Sequence, residues 1–499
     1  MVVMGEVIVF IVYFVLLLVF GIYCFMKVKG GDKEYFLGSR QLGAWVSALS
    51  AGASDMSAWV LMGLPAAIFT FGMSRVWIAI GLAIGYMLSW IFIAPRLRRF
   101  SIGYDDSITL PQYFTNRFLS KSKALQVVCA VIFLLAYTAY ASVNIRAGGI
   151  LFDTLFGMER VFGMYIVAGF VVIYTFLGGF KAVAWSDFFQ GLMMLGALMA
   201  APLFALLVID PGALSAEFFP DGYWNMMASG NADWASISHI LTGFGWGLGY
   251  FGMPHIIIRY MSIRSHAEVK KSAAISISWN VLILTFSVLV GIMALAYTRQ
   301  QGIVIDDAQQ VFIVMSRALF PAVISGILLS AIISAAMSSA DAKLLVSSSA
   351  FTADVYKPIF RKNASDRETI WVGRVVVLVV AFASTIIASN PNLGTIMDLV
   401  GHAWGVFGAA FGPTVILSLY WKRFNFSGAL AAIIVGTVVN VSWIVLGNVT
   451  DIAAFNLFAI VPGFFAGLAT AIIVTLATKK PSAEVDALFD AAVLDTESV

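Results

Sequence analysis

Apolar residues run along this chain in long blocks, separated by shorter stretches that hold most of the charge. A membrane-spanning helix needs roughly 20 mainly apolar residues. Thirteen blocks meet that length, at about 6–26, 42–68, 75–95, 124–150, 161–179, 183–209, 235–258, 272–298, 311–348, 371–390, 396–421, 427–446 and 454–477. The pattern predicts an all-α polytopic membrane protein of about thirteen transmembrane helices. The first block lacks a preceding basic region and an A-x-A cleavage site, so it is expected to be a span and not a cleaved signal peptide.

The intervening charges give an orientation, because cytoplasmic loops collect Lys and Arg. The loops after spans 1, 3, 5, 7, 9, 11 and 13 hold 23 basic residues, Arg259 among them, and the alternate loops hold three, Arg75, Arg160 and Arg299. This places the N-terminus outside and the C-terminus in the cytoplasm. The segment after Pro481 is short and acidic and is expected to be mobile. Lys343 and Arg146, inside spans, are expected to snorkel from near helix ends, with an acid as the other possible partner for Lys343.

Composition agrees with a bilayer solvent. The chain is 61% hydrophobic and 11% charged over 499 residues, against about 25% charged in soluble domains. A net charge of +3 implies no nucleic-acid partner. Cys24 and Cys129 lie in apolar runs and read as small buried hydrophobes. No Walker A loop, H-E-x-x-H or G-x-S-x-G motif is present, so neither an ATP engine nor an enzyme is expected. No obligate protein partner is evident beyond the lipid bilayer.

Two spans look interrupted. Span 2 reads SALSAGASDMSAW from Ser47 to Trp59 and places Asp55 near mid-membrane. A charge there costs a few kcal/mol even on the lenient scale, so Asp55 needs a partner. A cation is the simplest one; capping of a helix break or bonding to a neighbouring helix is the alternative. Span 7 reads GFGWGLGYFGMPH from Gly243 to His255, with five glycines and a proline. Backbone groups freed by such a break must face a cavity. Trp246 and Tyr250 are four residues apart and share a face while helix persists. The two interrupted spans are five spans apart, which fits two five-helix repeats of inverted topology, spans 2–6 and 7–11. The expected organisation is a first span and loop (1–41), repeat one (42–209), repeat two (210–421), two further spans (422–477) and a tail (478–499).

Span 9 carries ISAAMSSADAKLL from Ile333 to Leu345, with Ala335, Ser338 and Ser339 on one helical face. Beside open carbonyls of span 2, two hydroxyls would make an oxygen cage suited to a hard cation such as Na⁺. Serines in membrane helices also bond back to their own carbonyls, the plainer alternative. Asp341, one turn beyond Ser338, and Asp187, near the start of span 6, could share a second cation site or an exit step, or be solvated at the interface.

Read together, LSAGASDMSAWVLMGLP (Leu49–Pro65), WGLGYFGMPHI (Trp246–Ile256), the Ala335–Ser339 stretch with LLVSSSA (Leu344–Ala350), RQLGAWVSALSAG (Arg40–Gly52) and LPQYFTNRF (Leu110–Phe118) closely resemble the sodium/solute symporter family, and within it the proline carriers. The resemblance covers nearly the whole chain. It implies a LeuT-type bacterial inner-membrane transporter that imports L-proline with Na⁺ as coupling ion and no other cofactor. It further implies that the carbonyls of Ala53, Met56 and Ala335 and the hydroxyls of Ser338 and Ser339 hold the sodium, with Asp55 required nearby. The cargo would lie by Ser57, Tyr140, Trp246, Tyr250 and Pro254, and Arg40 would be a sensitive gating or coupling arginine. Asp187 with Asp341 would form the second sodium site. Met253, Ser339 and Lys343 depart from the family pattern, which has Gln, Thr and Gln there. Rival readings are a symporter of another amino acid or small carboxylate, a proton in place of sodium, and a sensor or channel on the same scaffold. A sensor would be expected to carry a long soluble domain after span 13.

Overall fold

The computed structural model describes residues 4–27, 32–390, 392 and 394–494. Among these there is no strand; the single β-bridge pairs Leu42 with Ile263. Ten helical stretches are long and apolar enough to cross a membrane, and Arg160–Phe176 is a shorter apolar helix. The chain is therefore a multi-pass membrane protein. Its surface has the matching character: Leu135 and Leu207 are 70% and 80% exposed, which suits lipid and not water. The interior holds the polarity, with Asp55, Asp187, Asp341, Lys343 and Arg259 all buried.

Local sequence explains where the helices begin and stop. Thr395 and Asp398 form a reciprocal capping box at the start of Ile396–Tyr420. Asn425, Ser365 and Asp233 cap Phe426–Val449, Asp366–Ala388 and Trp234–Leu248 with side-chain oxygens. The exposed Asp233 carboxyl is held below its ordinary range chiefly by the Ser236 backbone N–H it accepts. The expected segments 161–179 and 183–209 are two helices within Arg160–Val208, joined by a kink at Gly179 with φ 59°. That left-handed backbone needs glycine, and Tyr35 would also crowd any side chain there.

The interrupted segments are interrupted. Span 2 is helical over Ala44–Asp55, passes through Met56–Ala58, and resumes as a π-turn (Trp59–Gly63) and a helix (Leu64–Phe71). Span 7 is helical over Trp234–Leu248, tightens at Gly249–Phe251, and restarts at Pro254. The helix Ala322–Phe351, at the centre of span 9, packs against Ala124–Phe156, Arg160–Val208 and Met4–Lys27.

Three expectations need correcting. Lys343 does not snorkel; it is fully buried. Arg259 is not a loop charge; it lies buried on the helix Pro254–Met261. The segment after Pro481 is not free: Ala483–Leu494 is a helix docked by Phe489, which packs edge-on against Phe100 at 5.4 Å and under the Arg117 guanidinium at 4.7 Å. Lys422 and Asp490 add a 2.6 Å ion pair. Cys129 is buried as expected, whereas the Cys24 side chain lies outside the described residues.

The first half of span 7 crosses Val76–Leu88 with backbone against backbone. A Cβ on Gly81 would fall 1.9 Å from the Gly243 carbonyl oxygen, and one on Gly247 2.3 Å from that of Gly81. Such small-residue crossings let membrane helices approach closely. Gly81→Ala and Gly247→Ala should each destabilise by about 1–3 kcal/mol through overpacking. Gly169→Ala, which meets nothing within 4 Å, should leave the melting temperature of the detergent-solubilised protein unchanged while the other two lower it.

Candidate functional site

The break in span 2 comes from one misdirected hydrogen bond. Met56 N–H still donates to the Gly52 carbonyl at 2.9 Å, but Ser57 N–H turns to Asp55 O at 2.8 Å and no longer serves Ala53. Carbonyls released in this way need partners from elsewhere. Span 9 supplies them. Ser338 Oγ lies 3.0 Å from Ala53 O and 3.3 Å from its own Ala335 O, and Lys343 Nζ donates to Ser54 O at 3.2 Å. Lys343 Nζ also donates to Ser339 Oγ. Oxygens of Ala53, Ala335, Ser338 and Ser339 are thus gathered where the half-helix Ala44–Asp55 ends. That end carries the negative pole of the helix dipole, which favours a cation. Met56 follows directly, as the C-cap of the same half-helix.

Asp55 joins the two interruptions. Its Oδ2 accepts the Tyr250 hydroxyl at 2.6 Å. Oδ1 has no hydrogen-bond partner among the described residues, and the same holds for Ser57 Oγ and Tyr140 Oη. Three polar atoms left open in a buried region mark a place able to receive a polar ligand.

Aromatic rings border this region. Trp246 stacks on Phe458 at 4.9 Å, is tilted towards Trp59 and Trp404 at 6.4 Å each, and its carbonyl accepts the Trp404 Nε1–H at 2.8 Å. Tyr250 meets Trp404 edge-on at 5.0 Å and Tyr86 at 4.8 Å. Pro254 opens the second helix of span 7, and the following His255 N–H donates to Tyr137 Oη at 2.9 Å.

Asp187 sits in a buried ion pair and not at an interface. Its Oδ2 accepts Arg259 Nη2 and Ser50 Oγ, both at 2.7 Å. Arg259 also donates Nε to Ser50 Oγ at 2.7 Å and Nη1 to His255 O at 2.6 Å. Neither Asp341 oxygen has a hydrogen-bond partner among the described residues, and Asp341 feels the charges of Asp187, Arg259 and Lys343. Among the described residues no group of three or more His, Cys, Asp or Glu forms a metal centre.

Arg40 fastens the end of the bundle that carries the basic loops. Its guanidinium reaches Asp106 at 2.8 Å, Ser101 Oγ at 3.1 Å, Met261 O at 2.5 Å and Ser107 O at 2.7 Å. Beside it Leu42 N–H bonds Ser262 O, Arg264 N–H bonds Leu42 O, and Arg98 Nε bonds Ile263 O at 2.6 Å. The start of span 2 and the end of span 7 are thereby sewn together. At the other end a cavity of about 480 Å³ lies over the second half of span 2, lined by Gly63, Thr70, Arg75, Asp307 and Asp398 among others.

The serines of span 8 were not singled out by sequence. Ser272 bonds Ser47 Oγ at 3.0 Å, Ser276 Oγ donates to Ala48 O at 2.9 Å and Ser287 Oγ donates to Val60 O at 2.6 Å. Their signal was the S-x-x-x-S spacing of Ser272 and Ser276, which puts both on one face. Trp404 was likewise missed, though a large ring among the glycines Gly401, Gly405 and Gly408 hints at a specific contact.

The family model described as the sodium:solute symporter family matches residues 35–436. The chain is 42% identical over 471 residues to the osmoregulated proline transporter OpuE of Bacillus subtilis, with 94% of each chain covered. It is 41% identical to the high-affinity proline transporter PutP of the same organism, covering 92% of this chain and 95% of that one. Identity to the sodium/proline symporter of Staphylococcus aureus is 40%, covering 95% and 93%. In fold it resembles a Na⁺-coupled sialic acid symporter, with TM-score 0.81, 19% identity, and 96% of this chain and 99% of that chain covered. It also resembles Mhp1, a nucleobase-cation-symport-1 family transporter, with TM-score 0.57 and 13% identity over 93% and 99%.

Breaking a buried ion pair by removing one partner costs about 3–5 kcal/mol, because the other charge is stranded. Arg259→Gln should therefore sharply lower the melting temperature of the purified protein, and Asp187→Asn with Arg259→Gln should recover much of the loss.

Proposed function

This chain belongs to the sodium:solute symporter family, and on that premise we propose that it imports L-proline together with sodium ions by alternating access. The relatives named as proline carriers support the cargo. The oxygen cluster at the span 2 break, Ser338 Oγ within 3.0 Å of Ala53 O, is the observation that carries the coupling ion.

The proposed topology has thirteen spans with the N-terminus outside and the C-terminus in the cytoplasm of a bacterial inner membrane. Residues 42–209 and 210–421 form the two inverted repeats, and each repeat begins with its interrupted span. Sodium is held by the carbonyls of Ala53, Met56 and Ala335 and the hydroxyls of Ser338 and Ser339. Asp55 belongs to the sodium site and is required for binding through its nearby negative charge, whether or not it touches the ion. In the surrounding cluster three carboxyl groups, Asp55, Asp187 and Asp341, are buried with Arg259 and Lys343, a setting that favours a cation. Asp187 and Asp341 are the proposed second cation site, with the unpaired oxygens of Asp341 in its favour.

The proposed cargo site lies beside Ser57, Tyr140, Trp246, Tyr250 and Pro254. The carboxylate faces the positive dipole end where span 2 resumes, and the aromatic residues pack on the apolar ring. Arg40 acts as the cytoplasmic latch, released when the inner side opens. Each ligand raises the other's affinity by the same factor. One charge moving through 100 mV contributes about 2.3 kcal/mol, which supports a roughly fifty-fold gradient.

Radiolabelled L-proline uptake into proteoliposomes with an inward sodium gradient tests this. Concentrative, sodium-dependent uptake is expected, abolished in Asp55→Asn and needing at least ten times more sodium for half-saturation in Ser338→Ala. Uptake of a competing solute in place of proline would keep the symporter and reject the cargo. Uptake indifferent to sodium would reject the coupling ion.

A further inference from the structure

Lys343 presents an ammonium group where neither lipid nor water accounts for it. The side chain has no exposed surface. Its helix continues to Phe351, about 12 Å of further helix towards the basic end, so a four-carbon stem cannot reach that interface.

An ammonium has three N–H donors and no acceptor. At Lys343 three acceptors meet it: the Ser54 carbonyl at 3.2 Å, Ser339 Oγ, and the face of the Tyr140 ring, 3.8 Å from its centroid. The first is a carbonyl freed by the span 2 break. The second is a proposed sodium ligand. The third is a proposed cargo contact. The charged groups around Nζ are Asp55, Asp341 and Asp187, opposed by Arg259. Its environment is thus the one proposed above for a sodium ion, built from oxygens and net negative charge.

We propose that Lys343 is a tethered competitor for the sodium cage: without sodium its ammonium holds Ser339 and Ser54, and sodium enters by displacing it. The ammonium takes one of the two lone pairs of Ser339 Oγ, and two positive charges at adjacent ligands repel. Lys343 then sets the sodium affinity. Its departure also uncovers the Tyr140 ring, so sodium entry and cargo-site exposure are one event. This inference rests on the sodium reading above.

Sodium binding to the purified full-length protein in nanodiscs, measured with ²²Na⁺, tests it in wild type, Lys343→Gln and Lys343→Met. Gln keeps polarity without charge, Met keeps the stem, and either folded variant suffices. Both should bind sodium at least ten-fold more tightly than wild type, and Lys343→Arg should not. Wild type that binds sodium, with folded Gln or Met variants that bind it no more tightly, would overturn the competition and leave sodium symport standing. Wild type that binds none, with variants that do, would mean that the lysine holds the cage permanently; competition would stand and sodium coupling would fall. No binding in any of them would reject both.

Discussion

A carbonyl inside a bilayer must have a partner, and the geometry around the span 2 break follows from that requirement. Once Ser57 N–H turns to Asp55 and the helix stops before Ala58, Ala53 and Ser54 each expose an oxygen at the end of the half-helix Ala44–Asp55, where an unmet group costs several kcal/mol. Span 9 answers with one hydroxyl and one ammonium, Ser338 and Lys343. The serines of span 8 serve the flanking carbonyls of Ala48 and Val60. The Ser338 hydroxyl completes a backbone that the break in span 2 leaves unfinished, and a metal ion can substitute for it as the partner of the Ala53 carbonyl.

Asp55 extends the same logic to the other interruption. Its bond to Tyr250 makes one buried carboxylate the common partner of both broken spans. A change of charge or coordination at one break is therefore felt directly at the other. Arg259, bound to Asp187, Ser50 and His255, repeats the linkage one layer nearer the basic end.

Much of this was legible in the residue order. The long apolar blocks fall on helical segments, and the breaks were visible because Gly, Ser, Asp and Pro cluster where an ordinary span would have Leu and Val. The burial of Arg259 and Lys343 was not visible. Arg259 follows an apolar run and precedes a basic loop, so by sequence it joins the loop; its partner Asp187 lies 72 residues away. Lys343 lies near the end of an apolar block, where snorkelling is the ordinary outcome, and only the length of helix beyond it forbids that. The terminal segment misled for a different reason: its charge suggested solvation, while Phe489 packs beneath Arg117 and Asp490 pairs with Lys422. Composition reports averages, and these three outcomes rest on specific long-range contacts.

The glycine crossing of spans 3 and 7 has a mechanical consequence. Backbone packed on backbone at Gly81, Gly243 and Gly247 leaves no side chains to slide or re-rotamerise, so the first half of span 7 and its neighbour form one stiff lever. The second half of span 7 is tied just as firmly to Asp187, Ser50 and the Leu42 bridge. Between them lie only Gly252 and Met253, outside any helix. Rotation of the first half of span 7 against the second therefore bends the chain at those two residues.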